Sequence, residues 1–311
     1  MCRPASVATR VRPSRESSDR GPYAGRSLYL EPDSNAARQA ALWRTSDPDG
    51  AAVMDQLAQI PVATWLGDWT PDPAGAVDDL LTRAAGDLVV LVLYDIPDRD
   101  CGSFSAGGAS DGAAYETFVE AVASGLGGRE ALVVLEPDAL ALDDCLDSAA
   151  RDERRQLLGN AVDLLNAAGG TVYLDAGDSA WVPSAEMADR LLAAGVDRAA
   201  GFAINVSHTE FTADEVAYAN ELRVLLGDEA HYLVDTGRNG LGPDPTHEWC
   251  NPTGRANGRH PTLRTHRPGL DALLWVKPPG ESDGDCGGGP AAGSWWPEYA
   301  LDLALAGGFA P

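Results

Sequence analysis

The chain has 311 residues, 44% of them apolar, and carries 47 acidic against 23 basic residues for a formal charge of −24. This length and apolar content suffice for one large core, and no stretch approaches the ~18 apolar residues of a membrane span. So acidic a surface repels nucleic acid and anionic lipid, and a soluble monomer with no nucleic-acid or membrane partner is expected.

In chain order, residues 1–26 come first, with five arginines by position 20 and no apolar leader segment. They read as a disordered tail ahead of one domain, 27–311. Apolar or β-branched runs then recur at 60–66, 88–94, 131–136, 171–174, 200–205, 231–235 and 272–276. Being almost wholly apolar instead of alternating, they fit parallel strands buried on both faces. Amphipathic stretches at 74–86, 112–127, 150–168, 184–196 and 212–227 lie between them and predict helices, so the pattern is βα repeated.

Seven such units fit an open doubly wound sheet or a closed α/β barrel, and the C-terminal ends of the runs favour the barrel. Trp65 and Asp68, Tyr94 to Asp100, Glu136 and Asp138, Asp175, Asn205 and Ser207, Asp235 and Arg238, and Lys277 to Asp283 all lie there. A barrel gathers such ends at one mouth, whereas an open sheet uses the crevice at its switch point. Neither G-x-G-x-x-G after the first run nor a P-loop is present, which removes the usual nucleotide signatures.

Five cysteines, at 2, 101, 145, 250 and 286, lack metal-like spacing. Cys101 and Cys145 follow neighbouring runs, as do Cys250 and Cys286. Two rim disulfides, Cys101–Cys145 and Cys250–Cys286, are the simplest pairing, each contributing ~3 kcal/mol in the chain-entropy model. Cys2 is left in the tail. Disulfides imply an oxidising compartment, hence secretion, although no leader is visible.

The mouth holds many carboxylates and no histidine within the strand-end motifs, so no zinc site and no cofactor is expected; a carboxylate-bound Ca²⁺ or Mg²⁺ is a weaker alternative. Aromatic residues sit beside the same ends: Trp65, Trp69, Tyr94, Trp181, Trp249 and Trp275. Flat aromatic faces with carboxylates suit sugars, and glycoside hydrolysis needs a carboxyl proton donor, usually with a second carboxylate.

From about Ser27 to Gly308 the ordered series "YDIPDRDCG", "LVVLEPDAL", "YLDAGDSAW", "TADEVAYA", "VDTGRNG", "EWCNPTGRA" and "LLWVKPPGESDG" resembles glycoside hydrolase family 6. The resemblance implies a distorted seven-stranded parallel (β/α) barrel that cleaves β-1,4-glucan or cello-oligosaccharides with inversion. It further implies that Asp138 is the general acid, that Asp100 tunes it and steers the water, and that Asp283 is the base, a water relay toward Asp100 being the alternative. Tyr94 then crowds the sugar ring at the cleavage point. Lys277, Glu281, Trp65, Trp181, Trp249 and Asn205 match sugar contacts.

Three positions depart from the family pattern: Asp178 stands where many members carry His, Thr209 replaces a common Tyr, and Ala106 replaces a water-orienting Ser, with Ser105 adjacent. Short segments at 205–219 and 249–275 imply an open cleft and internal cleavage instead of a cellobiohydrolase tunnel. A glucan binder without chemistry is the rival reading.

Structural alternatives stand beside each role. Asp100 could pair with Arg99 at the rim, Asp138 could cap a helix, Asp283 lies in ordinary loop composition, and Trp275 reads as core. Asp175 and Asp235 could hold Arg99 or Arg238. The acidic excess with a single lysine, Lys277, fits salt adaptation or GC-rich codon usage equally.

Overall fold

A computed structural model of the chain describes residues 22–23, 25–227 and 229–311. Its centre is a parallel sheet of β1 (Thr64–Leu66), β2 (Val89–Leu93), β3 (Ala131–Leu135), β4 (Gly170–Asp175), β5 (Gly201–Ile204), β6 (His231–Asp235) and β7 (Leu270–Leu274). The strands lie side by side in chain order, as right-handed βα crossovers arrange them. Helices α3 (Pro73–Ala84), α4 (Gly112–Leu126), α5 (Ser148–Ala167), α6 (Ser184–Ala193) and α7 (Thr212–Leu226) fill the crossovers. All five lie where helical periodicity placed them.

Side chains alternate between two cores. Val90, Val92, Leu132, Val134, Tyr173, Ala203, Leu233 and Leu274 point into the barrel. Leu91, Leu93, Val133, Leu135, Leu174, Phe202, Ile204 and Val234 point out against the helices. Both faces are therefore buried, which is why the runs read as continuously apolar.

The barrel is distorted because β1 and β7 share no ladder. Their edges meet through the Ala63 N–H on the Trp275 carbonyl at 3.1 Å and the Trp65 indole N–H on the Val276 carbonyl at 2.8 Å. Three helices outside the sequence reading fill this seam: α1 (Asn35–Trp43), α2 (Pro48–Leu57) and α8 (Pro297–Ala306). Ala40, Met54, Leu57 and Ala300 pack there around the buried Trp275, which is thus core. The last strand begins two residues earlier than its apolar run, since Asp271 bulges out of register between the Tyr232 and Leu233 pairings. Trp275 and Val276 then leave the ladder.

Asp271 accepts hydrogen bonds from the Tyr173 hydroxyl at 2.7 Å and pairs with His231 at 2.7 Å. Tyr173 also bonds the Tyr23 hydroxyl at 2.7 Å, so the fold reaches back to Tyr23; residues 1–21 of the expected tail lie outside the described residues. Among the described residues no helix is long and apolar enough to cross a membrane.

Both expected disulfides are present, Cys101–Cys145 and Cys250–Cys286. The second ties two loops that also share a hydrogen bond from the Asn251 N–H to Asp283 at 2.9 Å. Replacing Cys250 and Cys286 together by Ser should cost roughly 3 kcal/mol and lower the melting temperature by about 5 °C. Calorimetry checks this, and an unchanged melting point refutes it.

Candidate active site

The strands leave the sheet through left-handed residues, with φ of +52° at Glu136, +68° at Asp138, +64° at Asn205 and +66° at Ser207. Such backbone is costly outside glycine and persists where its surroundings impose it. Here the surroundings are buried carboxylates. Glu136 accepts the N–H groups of Asp95 and Ile96 at 2.9 and 3.0 Å. Asp175 accepts those of Asp138 at 2.8 Å and Gly177 at 3.0 Å. Asp235 accepts four, from Ser207, Gly237, Val276 and Lys277, at 2.8 to 3.1 Å.

The expectation that Asp175 and Asp235 hold arginines is thereby corrected, because their oxygens are turned to backbone. Arg99 pairs with Asp68 at 3.2 Å and Arg238 with Asp283 at 2.7 Å. Burial pushes Glu136 up to about 8 despite its two N–H bonds. Burial and the neighbouring Asp138 charge also drive Asp175 far above the ordinary carboxylate range.

Above these braces lies a cavity of about 490 Å³ that brings together Trp65, Tyr94, Asp100, Asp138, Trp181, Trp249, Lys277 and Asp283. It shares Trp65, Tyr94 and Lys277 with an adjoining cavity of about 1360 Å³ that takes in Glu281. Nine of the ten expected catalytic and sugar-contact residues thus line one continuous space. Asn205 does not: it is wholly buried. Its amide donates to the Asp235 carbonyl at 2.8 Å, and its oxygen accepts the Glu210 N–H at 3.1 Å. It braces a loop and has no surface left for sugar.

The carboxylates differ in surroundings. Asp138 is mostly buried, and its Oδ1 faces the His208 imidazole at 3.5 Å. Asp100 accepts the Ser105 N–H at 2.7 Å; burial, then the negative Asp138, raise it in spite of that bond and of Arg99. Asp283 is the reverse case. Burial would raise it, but Arg238, Lys277 and the Asn251 N–H together hold it below its usual value. Burial pushes Glu281 up to about 7, opposed by Lys277 and by the Asn35 amide. Tyr94 is raised by burial and then by Asp138 and Asp100. Its ring packs edge-on against Trp65 with centroids 5.3 Å apart.

One functional residue escaped the sequence reading, which stopped at Ser207. His208 lies between two carboxylates, its Nδ1 3.1 Å from Asp178 and its Nε2 3.5 Å from Asp138. Trp181 packs on the imidazole with centroids 5.4 Å apart. Burial alone would lower its pKa, but the bond to Asp138 and the charges of Asp178, Asp138 and Asp175 push it up to about 9. The departure at Asp178 was the available signal: an acid in the place of an expected imidazole needs a cation nearby.

Comparison with known proteins identifies the family. Residues 23–306 match the family described as glycosyl hydrolases family 6. The chain is 43% identical over 283 residues to Endoglucanase A of Cellulomonas fimi, an alignment covering 89% of this chain and 60% of that protein. It is 43% identical to Endoglucanase 1 of Streptomyces halstedii, covering 89% and 88%. The endoglucanase Cel6 from Mycobacterium tuberculosis, solved with methyl-cellobiosyl-4-deoxy-4-thio-β-D-cellobioside, superposes with a TM-score of 0.86 at 44% identity, covering 92% of this chain and 99% of that one. The chain spans about three-fifths of the length of the first of these relatives.

Because the folded imidazole titrates above its unfolded value, its stabilising contribution is complete below about 6.5 and is lost as pH rises through about 9. His208→Asn should remove that component from a plot of melting temperature against pH. Charges facing His208 are Asp138 after β3, Asp175 and Asp178 after β4, and Glu215 on α7. Loss of the buried cation beside Asp138 should also displace the pH profile of kcat/KM. Identical profiles for both proteins would refute this role.

Proposed function

Since the chain belongs to glycosyl hydrolase family 6, we propose that it is an inverting endo-β-1,4-glucanase acting on internal bonds of cellulose and related glucans. The carrying observation is the line of half-exposed aromatic faces across the mouth, with the Asp138 carboxyl among them. Trp181 and Trp249 are 37% and 42% exposed, and Phe104 leans on Trp249 with centroids 5.9 Å apart. A tunnel roof would bury these rings. An uncovered cleft admits a polymer at any internal bond, which favours endo attack over cellobiohydrolase action.

In this reading Asp138 donates its proton to the bridging oxygen as the C1–O bond breaks. A water attacks C1 from the opposite face and yields the α-anomer. The proton shed by that water passes through a second water to Asp100, whose raised pKa makes it the better acceptor. Asp283, held low by two cations, is a poor base and serves to anchor Lys277 and Arg238. Tyr94 crowds the ring at the cleaved bond, while Lys277 and Glu281 meet sugar hydroxyls. Ser105, beside Asp100, is the hydroxyl left to orient water, since Ala106 has none.

Asp138→Ala should reduce release of ends from carboxymethylcellulose by roughly 10²- to 10⁴-fold while circular dichroism stays native. Near-normal turnover in that variant, or a wild type that leaves viscosity unchanged as a mere glucan binder would, refutes the reading. NMR of the first product should show the α-anomer.

Two disulfides support work in an oxidising, extracytoplasmic setting. The charge of −24 supports salt tolerance, because salt screens self-repulsion. Activity and melting temperature should hold or rise in about 2 M NaCl; a steep fall in both refutes this.

A further inference from the structure

We propose that the cleft extends past Trp65 into a further sugar subsite, whose platform is the exposed indole of Trp69 and whose occupant is one more glucosyl unit of a β-1,4-glucan chain. The proposal rests on the endoglucanase reading.

Trp69 sits in a tight turn that follows β1. The Thr70 N–H reaches the Gly67 carbonyl at 2.8 Å, and the Thr70 hydroxyl accepts the Gly67 N–H at 3.3 Å. The Cζ3–Cη2 side of the indole abuts Gly67 so closely that a Cβ there would come within 2.6 Å of the ring. The Arg99 guanidinium covers one face of the indole, 5.2 Å from its centroid, and stands 4.8 Å from the Tyr94 ring. Arg99 is itself held by Asp68, the Ser105 carbonyl and the Tyr94 carbonyl. Trp69, Arg99, Tyr94 and Trp65 therefore form a continuous series of contacts, the last pair edge-on.

Cover for Arg99 does not account for this tryptophan. The guanidinium already has its charge partner and two carbonyl acceptors, yet 51% of the Trp69 surface remains outside. That surface lines the cavity of about 1360 Å³, which shares Trp65, Tyr94 and Lys277 with the catalytic space. The same cavity is also lined by Asp79 and by the Arg83–Glu31 pair, 3.0 Å apart, groups able to bond sugar hydroxyls. A rigid aromatic face with polar groups in the same cavity is the combination a pyranose ring requires. Because the ring is pinned before binding, little side-chain freedom is lost on contact.

The test compares wild type, Trp69→Ala and Trp69→Phe on cellotetraose, cellopentaose and cellohexaose, with melting temperatures taken in parallel. Wild-type kcat/KM should rise with chain length, and Trp69→Ala should lose roughly three- to tenfold on the longest oligomer, mainly through KM, with cellotetraose nearly unaffected. Trp69→Phe should restore most of the loss. An equal loss at every length, no loss at any, or no rise in the wild type overturns the subsite. Titrating cellotetraose and cellohexaose into Asp138→Asn with and without Trp69→Ala gives the same comparison without turnover. Were the wild type to cleave nothing, the endoglucanase reading would fail, while this titration would still decide the subsite.

Discussion

Carboxylates buried beneath the mouth and bonded to backbone N–H groups are the interaction on which the site depends. A strand that ends early leaves N–H groups without ladder partners, and a buried carboxylate without donors is too costly to keep. Each problem is the answer to the other. Asp235 takes N–H groups from the ends of β5, β6 and β7, and hydrogen bonds of this kind contribute about 0.5–1.5 kcal/mol each, more where the acceptor is charged. The strand ends can therefore splay into left-handed turns and still be held in place. Asp138 occupies its position because Asp175 grips its main chain.

A second ordering follows in the charges. In the buried rim the cations are assigned to structural partners, Arg99 to Asp68 and Arg238 to Asp283. Lys277 leans on Asp283 at 3.6 Å and reaches over the Trp65 ring. Asp100 has a neighbouring arginine that pairs elsewhere, and so keeps a raised pKa. Asp138 meets its cation at 3.5 Å, through an imidazole shared with Asp178. The carboxylates thus divide by surroundings: Glu136, Asp175 and Asp235 brace backbone beneath the mouth, Asp283 is held by two cations, and Asp138 and Asp100 are left for the proposed proton transfer.

Much of this was legible in the chain. Strands buried on both faces announce themselves as apolar runs, and polar groups at every run's end located the mouth and paired the cysteines. What escaped were facts about neighbours. That Asp175 and Asp235 lie at strand ends is sequence; that they face backbone depends on how adjacent strands splay. Asn205 matched a sugar contact by position, but its turn rotates the amide inward. Helices α1 and α2 had capping residues, Ser34 and Asp47, yet their partner is α8 and Trp275 across nearly the whole chain.

The seam links fold to polymer cleavage. In a closed barrel of eight βα units, loops surround the mouth on every side, which suits small molecules. Here β1 and β7 meet through one backbone bond and one indole bond, and the place of an eighth unit is filled by short helices packed on Trp275. Next to this packing lies the cavity that runs from Trp65 and Lys277 to Glu31 and Arg83. Closing the sheet fully would put strand hydrogen bonds in the place of that packing. The incomplete ladder therefore goes with a cavity that continues beside the seam, as the proposed action on a polymer requires.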